Sequence, residues 1–168
     1  LFARFEYRYL TAKYAAGYIN SLYEIERYRF RADTPKLRFL RDRTGREGQH
    51  GFYGEAALSL FARVTLTLSY EDYQGADNSN LMIRLRLPWL GPVQFQAFYA
   101  KRNFEGASEV FTLDGALLLA ELRVRLVSFL YVFGQYSRQW HVVDDDVTGH
   151  RYVTVNDWNV GVGAAFEF

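Results

Sequence analysis

The strongest constraint in this sequence is an alternation of apolar and polar residues with a period of two. It is clearest between Gly54 and Tyr70, where the even positions are apolar or small and most odd positions are polar. A period of two is typical of a β-strand with one apolar and one polar face. Because the run is longer than an ordinary strand, we predict a hairpin with a tight turn at Phe61–Ala62.

Similar alternation predicts further strands elsewhere in the chain. These stretches are residues 3–9, 81–87, 93–99, 111–119 and 158–168. Turn-forming residues at Leu90–Pro92 separate two of them. We also predict a turn near Glu121, after which Arg123 and Arg125 lead into a stretch, residues 126–134, that is apolar on both faces.

The N-terminal third allows two interpretations. Residues 23–30 form a strand with a bulge and residues 37–39 begin another, or the whole segment is one long loop. With a further turn at Asp33–Pro35, the predicted turns are about one hairpin apart along the chain. This spacing favours ten strands, and eight strands with a long first loop are the alternative. We therefore expect an all-β, closed, antiparallel up-and-down barrel, as a single domain over residues 1–168.

Composition excludes several other classes. The 168 residues include 18% aromatics, which are scarce in disordered chains, and no cysteine for a disulfide scaffold or a cysteine metal site. No apolar run approaches the roughly 18 residues of a membrane-spanning helix. A net charge of +1 gives no reason to expect nucleic acid as a partner.

The choice of basic residue indicates which face is enclosed. Of the 20 basic residues, all but Lys13, Lys36 and Lys101 are arginine. Guanidinium groups suit an enclosed polar lumen, because one group can satisfy several carboxylates, and the apolar face of such a barrel would meet lipid. We predict a polar lumen network of Arg4, Glu6, Arg8, Glu55, Arg63, Arg84, Arg86, Asp114, Arg123, Arg125 and Asp157.

Aromatic residues gather toward the predicted strand ends. Amphipathic rings accumulate at membrane–water interfaces, where a membrane barrel carries two aromatic girdles. The predicted interfacial aromatics are Tyr70, Trp89, Tyr99, Trp140 and Trp158.

The chain ends on Phe168, behind an alternating stripe formed by Val160, Val162, Ala164 and Phe166. In this respect it resembles bacterial outer-membrane β-barrel proteins, whose last strand typically ends in an aromatic residue. The resemblance implies an outer-membrane location and a stripe that the assembly machinery recognises as an assembly signal. It also implies partners in the lipid bilayer and lipopolysaccharide. The domain is then a transmembrane barrel, either alone or as the membrane domain of a larger protein or assembly.

The expected role is structural, adhesive or that of a narrow conduit, because a barrel of eight or ten strands leaves room for little beyond its own side chains. No cofactor or metal is expected. An outer-membrane lipid-modifying hydrolase is one alternative, since His50, His141 and His150 fall in predicted outer connections. A soluble, lipocalin-like ligand-binding barrel is the other. No sequence motif supports enzymatic activity.

Overall fold

The computed structural model describes residues 1–11, 48–61, 63–75, 79–104, 106–113, 116–145 and 149–165. These residues form eight β-strands and one short 3-10 helix at Ala107–Glu109. In chain order the strands are β1 (Phe2–Leu10), β2 (Gln49–Leu60), β3 (Val64–Tyr73), β4 (Ser79–Leu90), β5 (Val93–Phe104), β6 (Ala116–Val127), β7 (Leu130–Asp145) and β8 (Gly149–Ala164). No helix within these ranges is long and apolar enough to cross a membrane.

All eight strands lie in one antiparallel sheet whose spatial order is the chain order, β1 to β8. The predicted all-β, up-and-down arrangement is therefore confirmed. β1 pairs directly with β2, from Phe2 opposite Ala57 to Leu10 opposite Gln49. This pairing corresponds to the alternative with eight strands and a long first connection. The extra strands predicted at residues 23–30 and 37–39, and the turn between them, lie outside the described residues.

The sheet is open in the part of the chain that the structure describes. Among the described residues, β1 pairs only with β2, β8 pairs only with β7, and no ladder of hydrogen bonds joins the two edges. The sequence predicted a closed barrel, whereas the structure shows an open, eight-stranded antiparallel sheet.

The two ends of the sheet differ in their connections. Tight turns that follow Leu60, Leu90 and Val127 lie at one end, together with Leu1 and Ala165. We call this the tight-turn end. At the opposite end lie the strand ends Leu10, Gln49, Tyr73, Ser79, Phe104, Ala116, Asp145 and Gly149. We call it the long-connection end, because three of its four connections contain more residues than any connection at the other end.

The predicted tight turns are confirmed between Leu60 and Val64 and at Gly91–Pro92, and Ala62 itself lies outside the described residues. Phe61 has a φ of 50° and Gly91 a φ of 61°, so both backbones are left-handed. The Arg63 N–H donates a hydrogen bond to the Leu60 carbonyl oxygen at 3.0 Å, which closes the first turn. Glycine adopts this conformation freely, whereas phenylalanine does so at a cost of about 1 kcal/mol.

The strand register separates two faces. Side chains in register with Phe5, Phe52, Leu68 and Tyr99 form what we call the apolar face. The alternate residues form the polar face. Large exposed side chains of the apolar face are Phe5, Tyr7, Tyr9, Phe52, Leu58, Leu60, Leu66, Leu68, Tyr70, Leu122, Trp158, Val160 and Val162.

Charged residues occupy apolar-face positions toward the long-connection end: Asp72, Lys101, Arg138 and, further along β7, Asp144. Lys101 is only 6% exposed, and its Nζ donates to the Thr112 Oγ1 at 3.0 Å. The connection between β5 and β6 therefore packs onto the apolar face at this end of the sheet.

A small apolar cluster lies on the polar face of β4, β5 and β6. Its centre is Ala100, which is 2% exposed, and Leu117. Met82, Phe98 and Leu119 pack against this centre. The polar face of the sheet is therefore not polar throughout.

This cluster explains why the predicted turn near Glu121 is wrong. Leu117 and Leu119 share a face with Glu121, and β6 runs without a break from Ala116 to Val127. The change from leucine to charged residues suggested a break in the strand, but it is a change of polarity along one face. The actual turn, at residues 128–129, lies inside the apolar stretch that follows.

Two other details of the sequence interpretation are corrected. The strand predicted at residues 111–119 begins only at Ala116, after the 3-10 helix. His50, His141 and His150 lie in β2, β7 and β8 and not in connections. In the first case Phe111 and Leu113 continue the alternation although they lie in the connection, and in the second the strands extend into polar residues that the sequence assigned to connections.

A substitution at Gly51 tests how closely the side chains of the polar face pack. A Cβ at this position would collide with the Tyr73 ring and with the Asp72 carbonyl oxygen, whereas a Cβ at Gly54 would meet nothing within 4 Å. We expect Gly51→Ala to lower the free energy of unfolding by about 1–3 kcal/mol, as overpacking does. Gly54→Ala on the same strand should change it by less than about 0.5 kcal/mol. Urea unfolding followed by tryptophan fluorescence measures both, and equal effects would contradict the packing described.

Candidate functional site

Arg8 is the hub of a polar cluster on β1, β2 and β3. Its Nε donates a hydrogen bond to Glu6 Oε2 at 2.7 Å, and its Nη1 donates to Tyr73 Oη at 3.2 Å. The same Nη1 lies 3.6 Å from Glu71 Oε2. The guanidinium carbon is 4.0 Å from the centre of the Tyr53 ring, a cation–π distance. Arg8 thus meets partners from all three strands.

The register explains how side chains from β1 and β3 meet across β2. Arg8 lies opposite Gly51, and Gly51 lies opposite Tyr73. Because glycine has no side chain, the Tyr73 ring and the Arg8 guanidinium can meet over the backbone of β2. Gly51 is therefore a positioning residue for this cluster.

The cluster continues from Glu71 to β5. Asn80 Nδ2 donates to Glu71 Oε1 at 3.0 Å, and Arg102 Nε donates to Asn80 Oδ1 at 3.0 Å. Asn80 is among the buried residues of the sheet. A chain of charge-assisted contacts therefore crosses five neighbouring strands near the long-connection end.

A second polar cluster lies on β5 and β6. Gln96 Nε2 donates to Glu121 Oε1 at 2.8 Å. Arg123 Nε is 2.7 Å from the same oxygen, an ion pair without the angle of a hydrogen bond. The Arg125 guanidinium carbon lies 4.2 Å from the centre of the Trp89 ring. Glu121 is therefore already neutralised by a neighbour on its own strand.

A cavity of about 340 Å³ opens on the polar face of β4, β5, β6 and β7. The residues that line it through polar-face positions are Arg84, Arg86, Gln96, Phe98, Leu117, Leu119, Glu121 and Gln135. Its size is at the lower end of the range for ligand pockets.

The structure places most of the predicted lumen residues on the polar face and brings some of them together. Glu6 forms ion pairs with Arg4 and Arg8. Glu55 accepts a hydrogen bond from the Tyr53 hydroxyl at 3.2 Å. Four further members, Arg84, Arg86, Arg123 and Arg125, lie on the polar face. Asp157 of β8 pairs with Ser137 of β7, and Arg63 is exposed in the first tight turn. Asp114 lies outside the described residues.

Sequence reasoning missed several members of these clusters. Glu71 and Tyr73 belong to the same polar face as Thr67 and Ser69, but the predicted run ended at Tyr70. Extending the alternation by three residues would have found them. Asn80 and Arg102 lie next to connections, where a sequence pattern does not show whether a polar residue faces a partner or solvent.

The predicted interfacial aromatics do not share one environment. Tyr70 and Trp158 are exposed on the apolar face. The Tyr99 hydroxyl donates to the Val110 carbonyl oxygen at 2.5 Å. The Trp89 ring contacts Arg125 and Tyr131, whose positions belong to the polar face. Trp140 lies in β7 opposite Thr154.

The predicted assembly stripe occupies the free edge of the sheet. Val160, Val162 and Ala164 share the apolar face of β8, and Val160 is 86% exposed. Phe166 and Phe168 lie outside the described residues.

The histidines considered for a hydrolase are dispersed over the sheet. His50 lies on β2, where its Nδ1 is hydrogen-bonded to the Tyr7 hydroxyl and its ring packs against Tyr9. His150 lies opposite Asp144 in the β7–β8 pairing, and His141 lies opposite Val153. Within the described ranges, no group of three or more histidine, aspartate and glutamate residues could hold a metal ion.

In comparisons with known proteins, no family model, no curated protein and no solved structure matches this chain.

Arg8→Met tests whether the first cluster is a unit. The substitution leaves Glu6 and Glu71 without their shared cation, so we expect a loss of about 1–2 kcal/mol in the free energy of unfolding. Arg4→Met is the matched control. The Arg4 side chain is more exposed, and among the described residues it forms an ion pair with Glu6 alone and a distant cation–π contact, 5.9 Å, with Tyr53, so its loss should stay below about 1 kcal/mol. Equal losses in urea unfolding would contradict the hub role of Arg8.

Proposed function

We propose that this chain is a transmembrane β-barrel domain of the bacterial outer membrane with a non-enzymatic, structural role, and that its polar face lines a lumen largely filled by ion pairs. The lipid bilayer and lipopolysaccharide are its proposed surroundings, and the outer-membrane assembly machinery its proposed partner. The observation that carries this proposal is the apolar face, with large exposed side chains along the sheet.

Water is an unfavourable medium for such a face. Exposed apolar area costs roughly 25 cal/mol per Å² relative to an apolar environment, and soluble monomers rarely expose contiguous apolar patches of this kind. Leu66, Leu68 and Tyr70 on β3 are all exposed, while the alternate residues of that strand are partly or fully buried. Lipid would remove this cost without rearranging the sheet.

Strand lengths and connections support the same proposal. Six of the strands contain 9 to 12 residues, close to the roughly 9–11 residues with which a tilted strand crosses a bilayer. Outer-membrane barrels have short turns on the periplasmic side and longer loops outside. By this comparison the tight-turn end is periplasmic. The charged residues Lys101 and Arg138 of the apolar face then lie toward the outer headgroup region, where long basic side chains are tolerated.

The register of the sheet also supports closure. Following paired residues from β1 to β8 leads from Ala3, one residue after the start of β1, to Asn156, eight residues before the end of β8. Rows of hydrogen-bonded neighbours therefore run obliquely to the strand ends. Such stagger is what a tilted, closed barrel requires, and in lipid an unpaired edge would leave backbone groups without partners.

Closure of β1 on β8 is tested by cross-linking, because the chain has no cysteine of its own. If β1 and β8 close the barrel with their tight-turn ends at the same height, Tyr7 lies opposite Val160, or opposite Trp158 or Val162 on the same face of β8. We expect Tyr7→Cys to form an intramolecular disulfide with Val160→Cys, or with Trp158→Cys or Val162→Cys, after mild oxidation of the refolded protein in lipid. Asn159→Cys, on the other face of β8, is the control and should not cross-link.

A faster-migrating monomer on a non-reducing gel is the expected result. A disulfide-linked dimer would show that the edges pair with a second copy, and no product at any of the three positions would rule out pairing of these two strands.

Arginine substitutions on the two faces of β3 test the membrane orientation. Leu68 is 41% exposed at the middle of the strand, and Ser69 lies on the polar face opposite Glu55. In lipid, Leu68→Arg should lower the free energy of unfolding by about 2–4 kcal/mol. Ser69→Arg places the same charge beside a carboxylate and should have a much smaller effect. Heat-modifiable gel mobility and urea unfolding in vesicles measure both.

A stable, water-soluble wild-type protein that tolerates Leu68→Arg would refute the membrane proposal.

A further inference from the structure

The cavity on the polar face combines an apolar floor with a cationic side. Phe98, Leu117 and Leu119 form the floor, next to the buried centre at Ala100. Arg84 and Arg86 line the side that β4 contributes. A volume of about 340 Å³ accommodates a small organic molecule rather than a macromolecule.

The two arginines are suited to share one anion. They are separated by one residue on a strand and point to the same face, so their backbone positions are about 7 Å apart. The Arg84 guanidinium carbon lies 5.8 Å from the centre of the Phe98 ring, which places a cation beside the floor of the cavity. Guanidinium groups bind carboxylates and phosphates through paired, charge-assisted hydrogen bonds.

Their charge is not neutralised by the described side chains. Within the described ranges, neither Arg84 nor Arg86 has a carboxylate within ion-pair distance, although arginines elsewhere on this face do. The carboxylate that lines the cavity, Glu121, is occupied by Arg123 and Gln96. The cavity therefore has an excess of positive charge at one side and an apolar surface at the other.

We propose that this cavity binds a small organic anion, with a carboxylate or phosphate head held by Arg84 and Arg86 and a short apolar tail packed on Phe98, Leu117 and Leu119. The inference depends on the folded sheet and its cavity and does not require that the protein lie in a membrane. In the proposed barrel this site would occupy the part of the lumen lined by β4 to β7, beside the ion pairs of β1 to β3.

Octanoate is a suitable probe, because it joins a carboxylate to a short saturated tail. The full chain is refolded in a non-ionic detergent, its β-structure is checked by circular dichroism, and octanoate is titrated by isothermal calorimetry against a protein-free blank. We expect saturable binding at one site. Octanamide, acetate and octylammonium, which lack the charge, the tail or the correct sign, should each bind at least about tenfold more weakly.

Variants separate the head and tail contacts. The double substitution Arg84→Gln with Arg86→Gln should weaken octanoate binding at least about tenfold. Arg63→Gln, which removes an exposed arginine of the first tight turn, is the matched control and should leave the affinity unchanged. Gln135→Trp narrows the cavity without removing a cation and should also weaken binding.

Several outcomes would overturn the inference. Equal binding of octylammonium, or unchanged binding by the double variant, would mean that the probe partitions into detergent or binds elsewhere. Acetate or inorganic phosphate binding as tightly as octanoate would reduce the site to a simple anion contact. Should the chain fold in buffer without detergent, the membrane proposal fails, while the same titration in buffer still tests the cavity.

Discussion

The arrangement of this protein depends on the register between neighbouring strands. Because successive side chains of a strand point to opposite faces, a slip of one residue would exchange the apolar and polar faces of that strand. The observed pairing keeps Phe5, Leu68 and Tyr99 on one face and Arg8, Ser69 and Glu121 on the other. A slip of one residue at a single ladder would place charged residues among the exposed apolar side chains. At the β1–β2 or β2–β3 ladder it would also separate Arg8 from Glu71.

The polar face combines two kinds of packing. On β1 to β3, glycine at position 51 gives Tyr73 and Arg8 room to meet, and carboxylates from two strands neutralise the arginine. On β4 to β6, the leucines of β6 pack on Ala100 and leave the arginines of β4 beside a cavity. One half of this face is thus occupied by internal ion pairs, and the other half retains space and unneutralised cations.

Much of the fold could be predicted from the sequence, because period-two alternation is a direct consequence of strand geometry. It predicted the β2–β3 hairpin, the turn at Gly91 and the polar-face position of Arg84 and Arg86. It failed at Glu121, because we assumed that each face keeps one polarity along its length, whereas β6 changes from Leu119 to Glu121 on the same face.

The cluster around Arg8 was predicted only in part, since Tyr73 reaches it from a distant strand and sequence spacing carries no information on that contact. The proposed closure of the sheet would likewise depend on the two strands that are farthest apart in the chain.

The order of the strands has a consequence for how the chain can fold. Pairs from β2–β3 to β7–β8 join strands that follow one another along the chain, so each can form with little loss of loop entropy when its connection is short. β1 is different, because Leu10 pairs with Gln49, and the chain between them must be drawn into a loop before that ladder can begin. Contacts with large sequence separation form more slowly than local ones. We therefore expect the sheet to form first from the hairpins of β2 to β8. β1, which carries the Arg8 that holds the first polar cluster together, is expected to pair last.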